Sequence, residues 1–351
     1  MIRVAIADDS PFTCKLLASY VQESGDCEVV GFANDALSTI DLVRTFKPDV
    51  LTLDLQMPGG NGLDLLRKLV AESAVAVVVI SGVTRRAAAT TLHALELGAV
   101  DFVLKYTPGA PVSPASLKRE IVAKVKMAAA AQPLIRQAQA LPVPAPALAQ
   151  LTPPAGGRPV AARGEIGVIV IGASTGGPRA IGELLTAFPV DFAAPFVIVQ
   201  HLPAPFTAPF AAQLDRHTRL HVQEAKSGDR LEPGRVLVSP GSVHLIVLAD
   251  GRIALQPAAD GDIYRPSIDL AMTSAAESYK SGAVGVVLTG MGHDGAEGLK
   301  QIREHGGEAY VQDLASCVVP SMPKRALERA GADYVARPER IGQMLAARSK
   351  S

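Results

Sequence analysis

Residues 168–178 read Val-Ile-Val-Ile-Gly-Ala-Ser-Thr-Gly-Gly-Pro. Four consecutive β-branched residues, Val168–Ile171, read as a buried strand, and Gly172, Gly176 and Gly177 permit a tight turn out of it. The segment Gly172-Ala173-Ser174-Thr175-Gly176 fits G-x-S-x-G, the strand-to-helix elbow that lifts a serine hydroxyl toward a base and an oxyanion site. The same glycines could cradle a phosphate at a helix N-terminus, or simply make a structural turn. On these residues alone the readings stay open. What the stretch does indicate is a strand-turn-helix unit, the building block of an α/β protein.

Working outward, the same unit recurs on both sides. Upstream, strands are predicted at Arg3–Ala7, Glu28–Ala33, Asp49–Asp54, Val75–Ser81 and Asp101–Lys105. Helical patterns at Pro11–Glu23, Ala36–Phe46, Gly62–Ala71 and Arg85–Leu97 lie between them. Strict alternation with short connections predicts a parallel sheet covered on both faces. Downstream, strands follow at Phe196–Gln200, Arg235–Ser239, His244–Val247, Ala283–Thr289 and Glu308–Gln312. Between the halves, Gln132–Gly164 turns to Pro and Ala, with Pro142, Pro144, Pro146, Pro153 and Pro154, and reads as an extended, semi-rigid tether. The expected architecture is two doubly wound parallel-sheet domains, residues 1–130 and 165–345, joined by a Pro/Ala-rich linker over 131–164.

Bulk properties narrow the function classes. The 351 residues suffice for about two domains, and 34 basic side chains cancel 34 acidic ones. That balance leaves no electrostatic footprint for nucleic acid, and the absence of Trp argues against base-stacking surfaces. No basic recognition helix appears, which disfavours a DNA-binding output. Cys14, Cys27 and Cys317 are scattered, without metal-like spacing, and read as reduced thiols. The N-terminus reaches Asp8-Asp9 too early for a signal peptide, and no apolar run is long enough to cross a bilayer. A cytoplasmic, monomeric chain with no membrane insertion is expected.

In an open parallel sheet, ligands sit at the carboxyl ends of the strands. In the first half those ends carry Asp8 and Asp9, then Asp54, Ser81 and Lys105. Crowded carboxylates repel one another and favour a hard divalent cation such as Mg2+, while a lysine and a hydroxyl opposite can hold phosphoryl oxygens. That constellation suits phosphoryl transfer onto a carboxylate. Singly, Asp8-Asp9 would read as a helix cap and Lys105 as a solvated charge; their convergence on strand ends argues otherwise. Residues 1–130 resemble a response-regulator receiver domain. The resemblance implies Asp54 as phosphoacceptor, Asp8 and Asp9 helping to bind Mg2+, and Lys105 on the phosphoryl group. It also implies Ser81 as switch hydroxyl and Phe102 as switch aromatic, with a chemotaxis-type histidine kinase as phosphodonor. Tyr106 stands where proline usually follows the lysine, which disfavours a cis peptide there, and Asn61 replaces an acidic residue before Gly62.

The same logic in the second half brings Ser174, His201 and Asp294 to strand ends. If those strands are parallel neighbours, nucleophile, base and orienting carboxylate meet on one edge, as a hydrolytic triad requires. The other histidines compete less well. His93 belongs to the first half, His217 and His221 lie in a polar stretch, and His244 alternates within a strand. His293 adjoins Asp294 and shapes its loop, and His305 sits at a helix end. The order Ser, His, Asp does not support the α/β-hydrolase fold.

Residues 165–342 resemble the catalytic domain of the chemotaxis protein-glutamate methylesterase family. The matching segments are Gly-Ala-Ser-Thr-Gly-Gly-Pro (172–178), Val-Gln-His-Leu-Pro (199–203) and Pro-Gly-Ser-Val-His-Leu (240–245). Arg-Pro-Ser-Ile-Asp (265–269), Leu-Thr-Gly-Met-Gly-His-Asp-Gly-Ala (288–296), Ala-Tyr-Val-Gln-Asp (309–313) and Met-Pro (322–323) complete the set. Ser321 replaces a common glycine before Met-Pro, and the loop before Arg265 departs as Asp-Gly-Asp-Ile-Tyr.

The resemblance implies hydrolysis of glutamate methyl esters on chemoreceptor cytoplasmic domains, glutamine deamidation at the same site, and oxyanion donors near Thr175 and Met291. No cofactor is implied for hydrolysis itself. A receiver docked beside Ser174 and released by phosphorylation of Asp54 would make the enzyme switchable, the tether keeping it at high local concentration. Two other readings compete: a nucleotide-binding output, which lacks the P-loop lysine, and a phosphorylation-switched partner-binding module with a vestigial triad.

Overall fold

The structure is a computed structural model that describes residues 1–82, 84–105, 113–140 and 165–350. The chain divides into two compact units, Met1–Leu148 and Ala149–Ser351.

The first unit alternates strand and helix as its sequence predicts: β1 (Ile2–Ala7), α1 (Pro11–Gln22), β2 (Cys27–Ala33), α2 (Ala36–Phe46), β3 (Val50–Asp54), α3 (Gly62–Glu72), β4 (Ala76–Ser81), α4 (Arg85–Glu96), β5 (Asp101–Leu104) and α5 (Pro114–Ala140). The strands pair in parallel in the order β2-β1-β3-β4-β5. Every residue of β3 and β4 is buried, which their near-continuous aliphatic runs require of strands covered on both faces. Helix starts are set locally. Ser10 caps α1, an Asp35–Ser38 capping box opens α2, and Thr84 caps α4. The strand order reverses between β1 and β3, so the sheet's crevice opens between Asp8 and Asp54.

The predicted tether begins too early. Helix α5 continues past Gln132 to Ala140, because the Ala-rich run over 128–131 and the Gln, Leu and Arg beyond it are good helix formers. Tyr106 and the remaining linker residues, 141–164, lie outside the described residues.

The second unit holds β6 (Val168–Ala173), α6 (Gly177–Leu185), β7 (Phe196–Gln200), α7 (Ala204–His217), β8 (His221–Glu224), β9 (Arg235–Val238), β10 (Val243–Val247) and β11 (Ile253–Pro257). It continues with α8 (Ile268–Tyr279), β12 (Ala283–Val287), α9 (Ala296–Glu304), β13 (Glu308–Gln312), α10 (Ser321–Arg329), β14 (Tyr334–Ala336) and α11 (Pro338–Ala346). Seven strands form one parallel sheet in the order β14-β13-β12-β6-β7-β9-β8. The chain leaves β6 in one direction toward β7, β9 and β8, and later returns on its other side as β12. The switch point therefore falls at β6, flanked by β7 and β12. Beneath it, Val170, Val199, Ile268 and Leu299 are among the side chains closing the core.

One sequence expectation changes here. The strand over His244–Val247 does not join the main sheet. It pairs with β11 in an antiparallel hairpin around Asp250-Gly251, a turn dipeptide that favours such a hairpin. The polar stretch at His221 forms edge strand β8, with His221 exposed and only Val222 buried.

Candidate functional site

Each triad candidate sits where a strand of the main sheet gives way to a loop. Ser174 follows β6 directly, and its N–H donates to Thr289 O at 3.1 Å. The turn into α6 passes through Gly176, whose φ of 77° is the left-handed conformation that favours glycine. The Gln200 side chain closes the turn by donating Nε2 to Ser174 O at 2.9 Å. One residue on, His201 leaves β7 with its N–H bound to Ala173 O. Asp294 lies in the loop between β12 and α9. Because β12, β6 and β7 are parallel neighbours, all three residues reach the same edge.

His201 Nε2 and Asp294 Oδ2 are joined by a hydrogen bond of 2.8 Å. The carboxylate is almost fully buried, and its other partners are also in place. Oδ2 accepts the Ile268 N–H at 2.7 Å, and Oδ1 accepts the Asp269 N–H at 2.9 Å and the Ser267 hydroxyl at 3.2 Å. Burial alone would push its pKa up. The hydrogen bond and charge interaction with His201, helped by the two N–H groups, outweigh burial and hold Asp294 below the usual carboxylate range. Among the described residues Ser174 Oγ makes no hydrogen bond to His201, so the nucleophile–base contact is not preformed. Such contacts are often loose before substrate binds. Thr175 is buried behind the serine, its carbonyl accepting from Thr289 Oγ1, while Met291 is exposed at the rim.

Several residues of this edge were not singled out in the sequence. Asp269 accepts the Gly295 and Gly298 N–H groups at 2.9 and 2.6 Å, so it caps α9 while Asp294 caps α8. Burial, together with the negative charge of Asp294, pushes Asp269 up to about 6. Gln200 ends the otherwise apolar β7 and Gln312 ends β13, and Gln312 Oε1 accepts the Thr289 N–H at 2.8 Å. A buried amide at a strand's last position was the available signal for both. Ser321, which the sequence did single out, brackets Met291. Its hydroxyl donates to Gly290 O at 2.9 Å and accepts the Gly292 N–H at 3.1 Å. His244 is structural, as expected: Nε2 bonds Asp262 and Nδ1 accepts the Ser267 N–H. His305 ends α9 with Nδ1 on Gln301 O.

In the first unit, ligand oxygens of Asp8, Asp9 and Asp54 all lie within 4.8 Å of one another. Asp8 and Asp54 are buried and Asp9 is exposed. Lys105 Nζ reaches Asp54 Oδ2 at 2.6 Å and Asp8 Oδ2 at 3.0 Å. Burial pushes Asp8 up, against the bonds from Ser10 N–H and Lys105. Burial also opposes the charge on Lys105, but its bonds to Asp54 and Asp8 prevail and raise its pKa. Three hard oxygen donors with an open acidic member suit a hard divalent cation. Ser81 is bonded to Thr91 of α4 at 2.5 Å. Phe102 is buried, with the Lys124 ammonium 5.0 Å from its ring centroid. Asn61 caps α3 by accepting the Leu63 N–H.

An acidic phosphoryl-type pocket on one doubly wound sheet and a serine–histidine–aspartate edge on another define a response regulator carrying a hydrolase output. Comparisons with known proteins agree. The family model described as CheB methylesterase matches residues 169–345, and that of the response regulator receiver domain matches 4–114. The chain belongs to the CheB methylesterase family, hydrolases of chemotaxis two-component systems. It is similar to a protein-glutamate methylesterase/protein-glutamine glutaminase of Albidiferax ferrireducens, 40% identical over 95% of this chain and 90% of that one. The protein of the same description from Methylobacillus flagellatus is 39% identical over 99% and 98%. The crystal structure of the Thermotoga maritima CheB methylesterase catalytic domain is 39% identical, with a TM-score of 0.50, covering 52% of this chain and 98% of that domain. No helix among the described residues is long and apolar enough to cross a membrane.

Proposed function

We propose that the second unit hydrolyses glutamate methyl esters on the cytoplasmic domains of chemoreceptors, using Ser174, His201 and Asp294, under control of phosphorylation at Asp54. The observation that carries the reading is the 2.8 Å His201–Asp294 bond one strand away from Ser174, at the switch point of a sheet of this family. With Nε2 engaged by Asp294, the base is Nδ1 of His201. It takes the Ser174 hydroxyl proton as Oγ attacks the ester carbonyl carbon. Asp294 fixes the imidazole and stabilises the imidazolium.

The tetrahedral oxyanion needs aimed donors, and the backbone at Thr175 and Met291 supplies them in this mechanism. Among the described residues the Met291 N–H makes no hydrogen bond, which leaves it available. Collapse returns the proton from His201 to the leaving oxygen and releases methanol, forming an acyl-enzyme. Water, deprotonated by His201, attacks that ester, frees the glutamate carboxylate and restores Ser174. An amide substrate would release ammonia by the same steps, giving glutamine deamidation.

In the receiver, a chemotaxis-type histidine kinase would pass its phosphoryl group to an Asp54 oxygen. Asp8, Asp9 and Asp54 would hold Mg2+, which offsets phosphoryl charge when bound. Lys105 would contact the phosphoryl oxygens, with Ser81 as switch hydroxyl and Phe102 as switch aromatic. Ser81 must then leave Thr91, which would link phosphorylation to α4.

The test is methanol release from methylated receptor membranes by the full chain. Ser174→Ala should abolish it, and a small-molecule phosphodonor with Mg2+ should accelerate the wild type but not Asp54→Asn. Near-wild-type release by Ser174→Ala would overturn the triad. Equal rates with and without phosphorylated Asp54 would overturn the control.

A further inference from the structure

We propose that Tyr264 is a positioning residue for hydrolysis, clamping the face of the His201 ring and favouring the imidazolium that forms there; this rests on reading His201 as the base. The two rings stack with centroids 5.2 Å apart and planes 10° from parallel. Asp294 fixes His201 at its edge, so ring plane and ring rotation are set by separate contacts. Tyr264 belongs to the Asp-Gly-Asp-Ile-Tyr segment that departs from the family pattern.

The clamp is itself held. The Tyr264 hydroxyl accepts the His293 N–H at 3.3 Å and shares a second hydrogen bond, of 3.1 Å, with His293 Nδ1. Its approach depends on Gly292, where φ is 100° and a Cβ would come within 2.4 Å of the hydroxyl oxygen. The segment before it is pinned by Asp262, which takes His244 Nε2 at 2.9 Å and the Ala259 N–H at 2.6 Å. Arg265 follows, bonded back to the carbonyls of Asp260 and Asp262. Thus the loop that carries Asp294 also fixes Tyr264, and the two residues grip one imidazole.

The chemistry follows from the ring's charge distribution. The face of a phenol is electron-rich and attracts a cation lying over it. His201 becomes a cation only as it accepts the Ser174 proton, so this attraction grows toward the transition state. An interaction of that kind raises kcat and leaves substrate affinity alone.

Tyr264→Leu keeps apolar bulk and removes the electron-rich face. In the full chain, kcat for methanol release should fall about 3- to 30-fold with KM unchanged. Inactivation by phenylmethylsulfonyl fluoride, which reads Ser174 activation without receptor binding, should slow by a similar factor. Tyr264→Phe, which keeps the ring, should retain more than half the activity. Wild-type kcat in the leucine variant, a loss confined to KM, or equal losses in the leucine and phenylalanine variants would overturn the proposal. A leucine variant lacking a cooperative thermal transition is replaced by Tyr264→Met, read by the same criteria. Ser174→Ala and His201→Ala run alongside: if either stays active the triad reading fails, whereas inactive controls with an unaffected Tyr264→Leu defeat the clamp alone.

Discussion

Each sheet puts a buried aspartate at its carboxyl edge beside the switch point, with 4% of Asp54 and 1% of Asp294 exposed. Burial does not separate them; their partners do. Asp294 accepts from two backbone N–H groups and a hydroxyl, and its bond to His201 completes the shell. Such a carboxylate is stabilised as an anion and has no lone pair to spare for covalent chemistry. Among the described residues Asp54 accepts one backbone N–H, from Gln56, and otherwise bonds the Lys105 ammonium beside two further carboxylates. An ammonium can move to a phosphoryl oxygen, and carboxylates can share a cation, so that site is built to be rearranged. The same residue type on similar sheets thus suits orienting a base in one place and accepting a phosphoryl group in the other.

The largest expected effect tests that contrast directly. Asp294→Asn should lower kcat for methanol release about 10^4-fold, because an amide cannot serve His201 and both helix N–H groups in the same orientation. It should also destabilise the second unit by about 1–3 kcal/mol, measured by urea denaturation. Asp54→Asn should leave unstimulated hydrolysis within about twofold, since nothing in the triad depends on it. An Asp294→Asn enzyme within tenfold of its parent would erase the distinction between the two aspartates.

A smaller effect concerns the cation. Millimolar Mg2+ should raise the receiver's calorimetric Tm by mass action, and chelation should reverse the gain. Asp9→Asn should remove most of the rise, because Asp9 is the exposed member of the acidic group, while the esterase transition should not move. A rise that survives in Asp9→Asn would place the ion elsewhere.

The smallest effect belongs to Asp269, whose pKa of about 6 lies above the ordinary value of 3.8. The folded chain then holds this proton more tightly than the unfolded chain, so the group's contribution to stability falls as pH rises from about 4 to about 6. Asp269→Asn keeps an acceptor for the α9 N-terminus and removes the repulsion with Asp294. It should flatten that pH dependence and raise stability near neutral pH by on the order of 1 kcal/mol. Thermal melts across that range check it; an unchanged slope would mean the proton sits on another group.

Much of this was legible in the chain because parallel sheets write their strands as aliphatic runs. Val168–Ile171, Phe196–Gln200 and Ala283–Thr289 announced themselves, and chemistry-bearing residues just past such runs fall on one edge by topology. The missed strands are those without that signature. β8 buries a single valine, and β14 has three residues at the sheet's rim. β10 looked like a sheet strand because alternation does not reveal which partner a strand takes. The tether's start was misjudged because alanine serves helices as readily as linkers. That Ser174, His201 and Asp294 meet at one edge was readable from residue type and position. The part played by Asp269, and the contacts of Tyr264 and Ser321, were not, because they arise between loops distant in sequence. Ser321 reaches Gly290 and Gly292 from the far side of β13, and no local pattern encodes that meeting.

The exchange of caps between α8 and α9 has a consequence for motion. Asp294 holds the first N–H groups of α8 and Asp269 holds those of α9, so neither helix can fray at its start without releasing the other's anchor. The amides of Ile268, Asp269, Gly295 and Gly298 should therefore exchange with solvent deuterium as one cooperative unit, with a shared opening free energy. The edge that carries Ser174, His201 and Asp294 would then be among the slowest parts of the second unit to open, a latch rather than a flexible mouth.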